Sequence, residues 1–170
     1  MATALVIIGL IALQRLGEVF YSDRNTRDLL ARGAVEIGAR HYPFVIALHV
    51  AWLIAIVVFL PKPVVINWYL IAVMAVLQFL RLWVVAVLGP YWTTRIITLP
   101  GAPLVTSGPF RYFRHPNYMV VVGEIAALPL AFGEIGVAIV FSVLNAAMLF
   151  WRIRVEDIAL AGRRTSGQHV

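Results

Sequence analysis

Long runs of apolar residues with charges at their ends dominate the chain and leave few folds open to it. Residues 44–60 form a 17-residue run without a charge, the lower limit for crossing a hydrocarbon core of about 30 Å. Residues 64–88 form a second run, interrupted by Asn67, Gln78 and Arg81. Pro61-Lys62-Pro63 separates the two, so together they read as a membrane hairpin with a tight turn. Residues 2–13, continuing through Gln14, Arg15 and Glu18 to Tyr21, read as a first transmembrane helix with a polar inner end. The first cation is Arg15, so the basic n-region of a signal peptide is missing. Residues 119–132, apolar except for Glu124, and 137–151 read as a tilted helical hairpin whose second helix runs on through 152–164. The polar stretch 22–43 reads as a short interfacial helix and a loop, and the tail TSGQHV as disordered.

Composition agrees. The chain is 62% hydrophobic and 13% charged, with a mean hydropathy of +0.89, against about 45–50% and about 25% in soluble domains. A disordered chain, a basic nucleic-acid-binding domain and an ordinary soluble enzyme are excluded. The formal net charge of +6 follows from orientation. Arg24, Arg27, Arg32 and Arg40 lie in the first loop, Arg95, Arg111 and Arg114 in the long loop 89–118, and Arg152, Arg154, Arg163 and Arg164 at the C-terminal end. Cations gather on the cytoplasmic side, so these ends face the cytoplasm and the N-terminus lies outside. The expectation is an all-α integral membrane protein of about five transmembrane helices, forming one domain over 1–170 in a bacterial inner membrane. With no cysteine there is no disulfide, thiolate metal site or cysteine nucleophile. No cluster of other ligands suggests a metal.

Charges at membrane depth cost several kcal/mol and tend to be paired or functional. Arg15 and Glu18, three apart on one face, read as a self-neutralising pair at the cytoplasmic edge or as lining of an acceptor pocket. Arg81 reads as snorkelling to the surface. Glu124 lacks a local partner and reads as a counter-charge to a cation or an arginine. His49 reads as a hydrogen-bonded core histidine.

The loop 89–118, rich in proline, glycine and aromatics, is unlike a helix, and a loop of that length in a compact domain is usually functional. It ends in RYFRHPNY (residues 111–118). A proline after His115 favours an extended histidine and a helix start just beyond. A helix N-terminus is a site for a carboxylate or other anion. In the last helix, Arg152 and Glu156 stand four apart, and the adjacent carboxylates Glu156 and Asp157 suit ribose hydroxyls or an amino group.

The stretch LVTSGPFRYFRHPNY (104–118), a helical hairpin and then R-x-x-x-E-D (Arg152 to Asp157) together resemble the isoprenylcysteine carboxyl methyltransferase family, integral-membrane enzymes that use S-adenosylmethionine. The polar stretch ARGAVEIGARHYP (31–43) is similar to bacterial members. Within the family the chain is most similar to a short bacterial branch associated with type III polyketide synthases, which O-methylates alkylpyrones or alkylresorcinols. The resemblance implies a cytoplasmic cofactor-binding part over about 89–164. It implies that Leu104, Val105 and Phe110 pack on S-adenosylmethionine, that His115, Pro116, Asn117 and Tyr118 hold its methionine end and adenosine, and that Glu156, with Asp157, binds it from the last helix. Arg152 matches the arginine that faces the acceptor. Ala102 stands where many relatives have histidine, and Val120 where many have glycine.

The mechanism expected from this is in-line methyl transfer to an oxygen of a lipophilic acceptor that enters from the bilayer, leaving S-adenosylhomocysteine. Proximity and exclusion of water supply most of the rate. Glu124, Glu18 and His41 are the candidate bases, and Arg152 and Glu124 the candidate catalytic residues. The expected partners are the acceptor and membrane lipids, with a functional link to a polyketide synthase and none to nucleic acid. RHPNY also resembles the C-terminal motif of steroid-reductase-like membrane enzymes, which use NADPH. A transporter or non-enzymatic membrane module is the third reading, with Arg15, Arg81 and Glu124 lining a path.

Overall fold

The structure, a computed structural model, describes residues 1–102 and 105–166, the side chains of His41 and of residues 159–166 excepted. Five α-helices follow in order: α1 (Ala2–Ala31), α2 (Tyr42–Phe59), α3 (Trp68–Leu88), α4 (Pro116–Ala131) and α5 (Ile135–Ser166). Four are long and apolar enough to cross a membrane, and α4 is a shorter apolar helix. Large apolar side chains such as Val58, Phe59, Phe79 and Val143 point outward, the arrangement of a protein whose solvent is lipid. The chain is an integral membrane protein.

Three features depart from the reading of the sequence. Residues 22–31 are not a separate interfacial helix but the last turns of α1. No glycine or proline interrupts 18–32, and the polar face of these turns is buried at Ser22, Asn25 and Thr26. Asn25 Nδ2 donates to the carbonyls of Gly89 (3.1 Å) and Trp92 (2.9 Å). At about 1.5 Å per residue, the 30-residue helix is longer than a bilayer core, and its end becomes a post for the long loop. The second departure is a small antiparallel ribbon, β1 (Val35–Ile37) with β2 (Ile96–Thr98), pairing Val35 with Thr98 and Ile37 with Ile96. It joins the two polar loops and sets Glu36 against Arg95, with both carboxylate oxygens 3.1 Å from Nη1. The C-terminal stretch TSGQHV begins inside α5, which continues through Ser166; residues 167–170 lie outside the described part.

Helices α3, α4 and α5 pack in sequence order. Gly123 permits the close approach of α3 and α4, since a Cβ there would stand 2.9 Å from Leu77 Cδ1. Pro129 inside α4 has no N–H for the carbonyl of Ile125. Trp52 Nε1 of α2 donates to that carbonyl at 3.2 Å, satisfying a group that lipid would leave bare. Asn67 caps α3 by accepting from Leu70 N, and its own N–H donates to Ala131 O at 2.8 Å. The outer turn is thereby tied to the end of α4.

Glu134, in the turn between α4 and α5, is 6% exposed. Neither carboxylate oxygen has a partner among the described residues. Burial pushes its carboxyl up to about 7. The folded protein therefore holds this proton more tightly than the unfolded chain, so stability falls as pH rises from the ordinary carboxylate range toward about 7. The melting temperature is expected to decline over that window in the wild-type protein, and Glu134→Gln to flatten the decline. An identical pH profile in the variant contradicts this assignment.

Candidate active site

Four charges meet inside the helical bundle. Arg81 of α3 is 5% exposed and Glu124 of α4 is 1% exposed. Arg81 Nε donates to Glu18 Oε1 at 2.6 Å, its Nη2 pairs with Glu18 Oε2, and its Nη1 lies 3.5 Å from Glu124 Oε2. Arg15 bridges the same carboxylates: Nη1 is 3.1 Å from Glu18 Oε2, and Nη2 pairs with Glu124 Oε2. Gln78 donates to the remaining oxygen, Glu124 Oε1, at 2.9 Å, and Gln14 adds a second donor to Glu18 Oε1 at 3.1 Å. The cluster is formally neutral. Arg81 does not snorkel, because two carboxylates hold it in the interior. Glu124 is the counter-charge of two arginines, with both oxygens committed, and it lines neither of the cavities described below. Its surroundings favour a positioning part over that of a base, and the same holds for Glu18. The side chain of His41 lies outside the described residues.

Arg81 Nη1 also donates to Asn117 Oδ1 at 3.4 Å, carrying the cluster into the start of α4. Here Pro116 is the first helical residue and His115 the cap. The N–H groups of Tyr118 and Met119 bond back to the His115 carbonyl. Among the described residues the N–H of Asn117 is the amide of that turn left for a ligand. The His115 and Tyr118 rings stack at 5.3 Å between centroids. His115 Nδ1 is 3.8 Å from Glu156 and Nε2 is 3.7 Å from Asp157.

Arg152 forms the junction. Its Nε donates to the Tyr118 hydroxyl at 2.9 Å and its Nη2 to the Thr94 carbonyl. The Tyr118 hydroxyl in turn donates to Glu156. Among the described residues Nη1 is left unpartnered. Thr94 is held by Ser22 of α1 and Tyr42 of α2: its N–H donates to Ser22 Oγ at 2.7 Å, and its hydroxyl is 2.9 Å from the Tyr42 hydroxyl. Four segments distant in sequence thus fix one guanidinium.

Two cavities flank this junction. The outer one, about 330 Å³, lies under the long loop. Val105, Phe110, His115, Pro116, Asn117 and Tyr118 line it, with Glu156 from α5 and Ala102 from the loop. Leu104 lies outside the described residues. Asp157 is not on the wall; it sits behind His115 and 3.5 Å from Arg114. The inner cavity, about 340 Å³, runs between α1, α2 and α5 at membrane depth. Trp92, Thr93, Asn117, Tyr118 and Arg152 line both. Reading the sequence missed Trp92, Thr93, Thr94 and Arg95. The signal was the β-branched run TTRIIT, which is strand-like.

A family model for the isoprenylcysteine carboxyl methyltransferase (ICMT) family matches residues 68–162. The chain belongs to this family. The matched stretch contains Arg81, Glu124, the whole His115–Tyr118 motif and α5 through the Arg152–Glu156 pair. Uncharacterized protein YpbQ of Bacillus subtilis is 36% identical over 159 residues, covering 91% of this chain and 95% of the relative. An uncharacterized protein of Haemophilus influenzae is 29% identical over 145 residues, covering 82% and 84%. No solved structure matches the chain. Membership makes the chain a membrane methyltransferase, of a family that generally uses S-adenosylmethionine. The reductase and transporter readings fall with it.

In this methyltransferase the ion cluster is a single unit. Removing one partner of a buried pair typically costs about 3–5 kcal/mol, because a charge is left uncompensated. Arg81→Leu is expected to lower stability on that scale, and Arg81→Leu with Glu18→Gln to recover part of the loss, read from unfolding in detergent. Strictly additive losses contradict a coupled cluster.

Proposed function

We propose that the chain is an S-adenosylmethionine-dependent O-methyltransferase of bilayer-dissolved amphiphiles, with methyl transfer at the wall shared by the two cavities. That wall is the observation that carries the reading. A cavity of mixed polar and apolar lining and a mainly apolar one meet at a guanidinium whose Nη1 is open. In the reading, the outer cavity takes the cofactor and the inner one the acceptor.

The outer cavity fits the cofactor by chemistry and by size, since small-ligand sites run from about 300 to 1,000 Å³. Glu156, oriented by Tyr118, supplies negative charge toward an ammonium or a sulfonium. The open Asn117 amide at the start of α4 suits a carboxylate. Phe110, Phe113 and the stacked His115–Tyr118 pair offer ring faces to a base. Bound there, S-adenosylmethionine supplies a methyl group whose C–S electron pair stays on sulfur as the new C–O bond forms.

The protein's own part is to position the acceptor oxygen and keep water out. Arg152 Nη1 holds that oxygen as an anion. Carboxylates and the enols of hydroxypyrones ionise readily and need no base, whereas a phenol, with a pKa of about 10, needs its proton removed. The acceptor is therefore an enol, phenol or carboxylate oxygen at the head of a lipophilic molecule, with alkylpyrones, alkylresorcinols and prenylcysteines as the classes to screen. The first two imply supply by a polyketide synthase. The cation-rich loops support a cytoplasmic active site in an inner membrane, with the N-terminus outside.

The test is transfer of labelled methyl from S-adenosylmethionine to each acceptor class in membranes carrying the protein. Arg152→Ala is expected to cut transfer about 100-fold or more, the scale of losing one oriented donor, while leaving S-adenosylhomocysteine affinity within a few-fold. His115→Ala is expected to weaken that affinity about tenfold. Loss of S-adenosylhomocysteine binding in folded Arg152→Ala moves Arg152 into the cofactor cavity. Unchanged binding in His115→Ala contradicts the assignment of the outer cavity.

A further inference from the structure

The inner cavity contains two polar side chains whose hydrogen-bonding capacity the fold does not use. His49 Nδ1 is 2.9 Å from the carbonyl of Val45. A carbonyl only accepts, so Nδ1 carries the proton, and in the neutral ring Nε2 keeps a lone pair. Asn145 of α5 is 2% exposed, lines the cavity, and has no hydrogen-bond partner among the described residues. Leaving a buried amide unpaired is costly, and lipid offers nothing to repair it. The two do not bond to each other, and both face the same cavity.

Their depth is set by the helices. Tyr42 and Arg152 both reach Thr94, so they mark one level. His49 is seven residues from Tyr42 on α2, and Asn145 is seven from Arg152 on α5. Each is two turns, about 10 Å, further into the membrane. The two helices run in opposite directions, and side chains tilt toward the N-terminus of their own helix. Arg152 therefore leans inward and His49 leans back toward the wall, shortening the gap between them. Most other polar groups on this cavity are engaged: Arg15, Glu18 and Arg81 with one another and Glu124, Tyr42 and Thr94 with each other, Asn117 with Arg81, and Tyr118 with Glu156 and Arg152. The atoms left over among the described residues, Trp92 Nε1, Arg15 Nε and Arg152 Nη1, are donors, so the His49 lone pair is the acceptor they do not duplicate.

We propose that His49 and Asn145 form a hydroxyl-recognition subsite, which selects acceptors carrying a second, protic oxygen on the head group besides the methylated one. One hydroxyl satisfies both residues, donating to His49 Nε2 and accepting from the Asn145 amide. A molecule that is hydrocarbon at this level leaves both unpaired. The inference rests on the inner cavity being the acceptor site. It narrows the acceptor from any oxygen-headed lipid to those with two oxygens on the head group. Sites built to bond a hydroxyl reject its absence far more strongly than apolar pockets reject its presence.

The test uses a matched pair of probes, pentadecylresorcinol and pentadecylphenol, which differ by one hydroxyl. Binding to the detergent-purified full chain is followed by tryptophan fluorescence, since Trp52 and Trp92 line the cavity. The wild-type protein is expected to prefer the resorcinol by about tenfold or more. His49→Leu and Asn145→Leu are each expected to bring the ratio near one by weakening the resorcinol alone. His49→Gln, whose amide oxygen still accepts, is expected to retain most of the preference. Equal affinities in the wild-type protein, or leucine variants that weaken both probes alike, overturn the proposal. S-adenosylhomocysteine is titrated into the same samples. Its failure to bind contradicts the proposed function, while the probe ratio still decides this subsite.

Discussion

The arrangement depends on neutralising four charges in a medium that cannot solvate them. Arg15, Glu18, Arg81 and Glu124 are each too far from water to stand alone, and no helix carries a balanced set except α1. Helices α1, α3 and α4 therefore have to meet at one level. Arg81, the most connected member, continues the contact to Asn117, so the neutralising cluster also fixes the first turn of α4. The turn proposed to bind the cofactor has in this way acquired a floor inside the helical bundle. Every carboxylate oxygen of the cluster is engaged by an arginine or a glutamine.

A second constraint acts on the loop above. Its backbone runs without regular structure over most of its length, yet it must hold a carbonyl on Arg152. It does so by borrowing side chains from helices that reach past the apolar core. Ser22 and Asn25 on the extended end of α1, Tyr42 at the start of α2, and the two-stranded ribbon all converge on residues 89–98. Backbone groups that water would otherwise satisfy are bonded to these fixed donors and acceptors. The Arg152 guanidinium then sits between two cavities with one nitrogen open, the arrangement on which the proposed transfer rests.

Length and hydropathy made the membrane helices readable, because burial in lipid depends on residue type more than on partners. The same is true of the Arg152–Glu156 pair and of His115-Pro116, whose spacing along one helix and at one helix start is local. What stayed hidden depends on contacts between distant segments. Arg81 reads as a snorkelling cation until Glu18, 63 residues away, is brought to it by packing. The last turns of α1 look like an interfacial helix because their polar face is buried by a loop that no local pattern announces. The ribbon is three residues per strand, too short for alternation to show. Trp92 carries no motif and Thr94 only the strand-like character of its run, and their importance lies in what they touch.

The central claim, that this family member works with an S-adenosyl cofactor in the outer cavity, is tested most directly by calorimetric titration of the detergent-purified protein with S-adenosylhomocysteine, with NADPH as the control. Micromolar binding of S-adenosylhomocysteine and none of NADPH is the result predicted. Binding of NADPH alone, or of neither ligand to folded protein, would contradict the account.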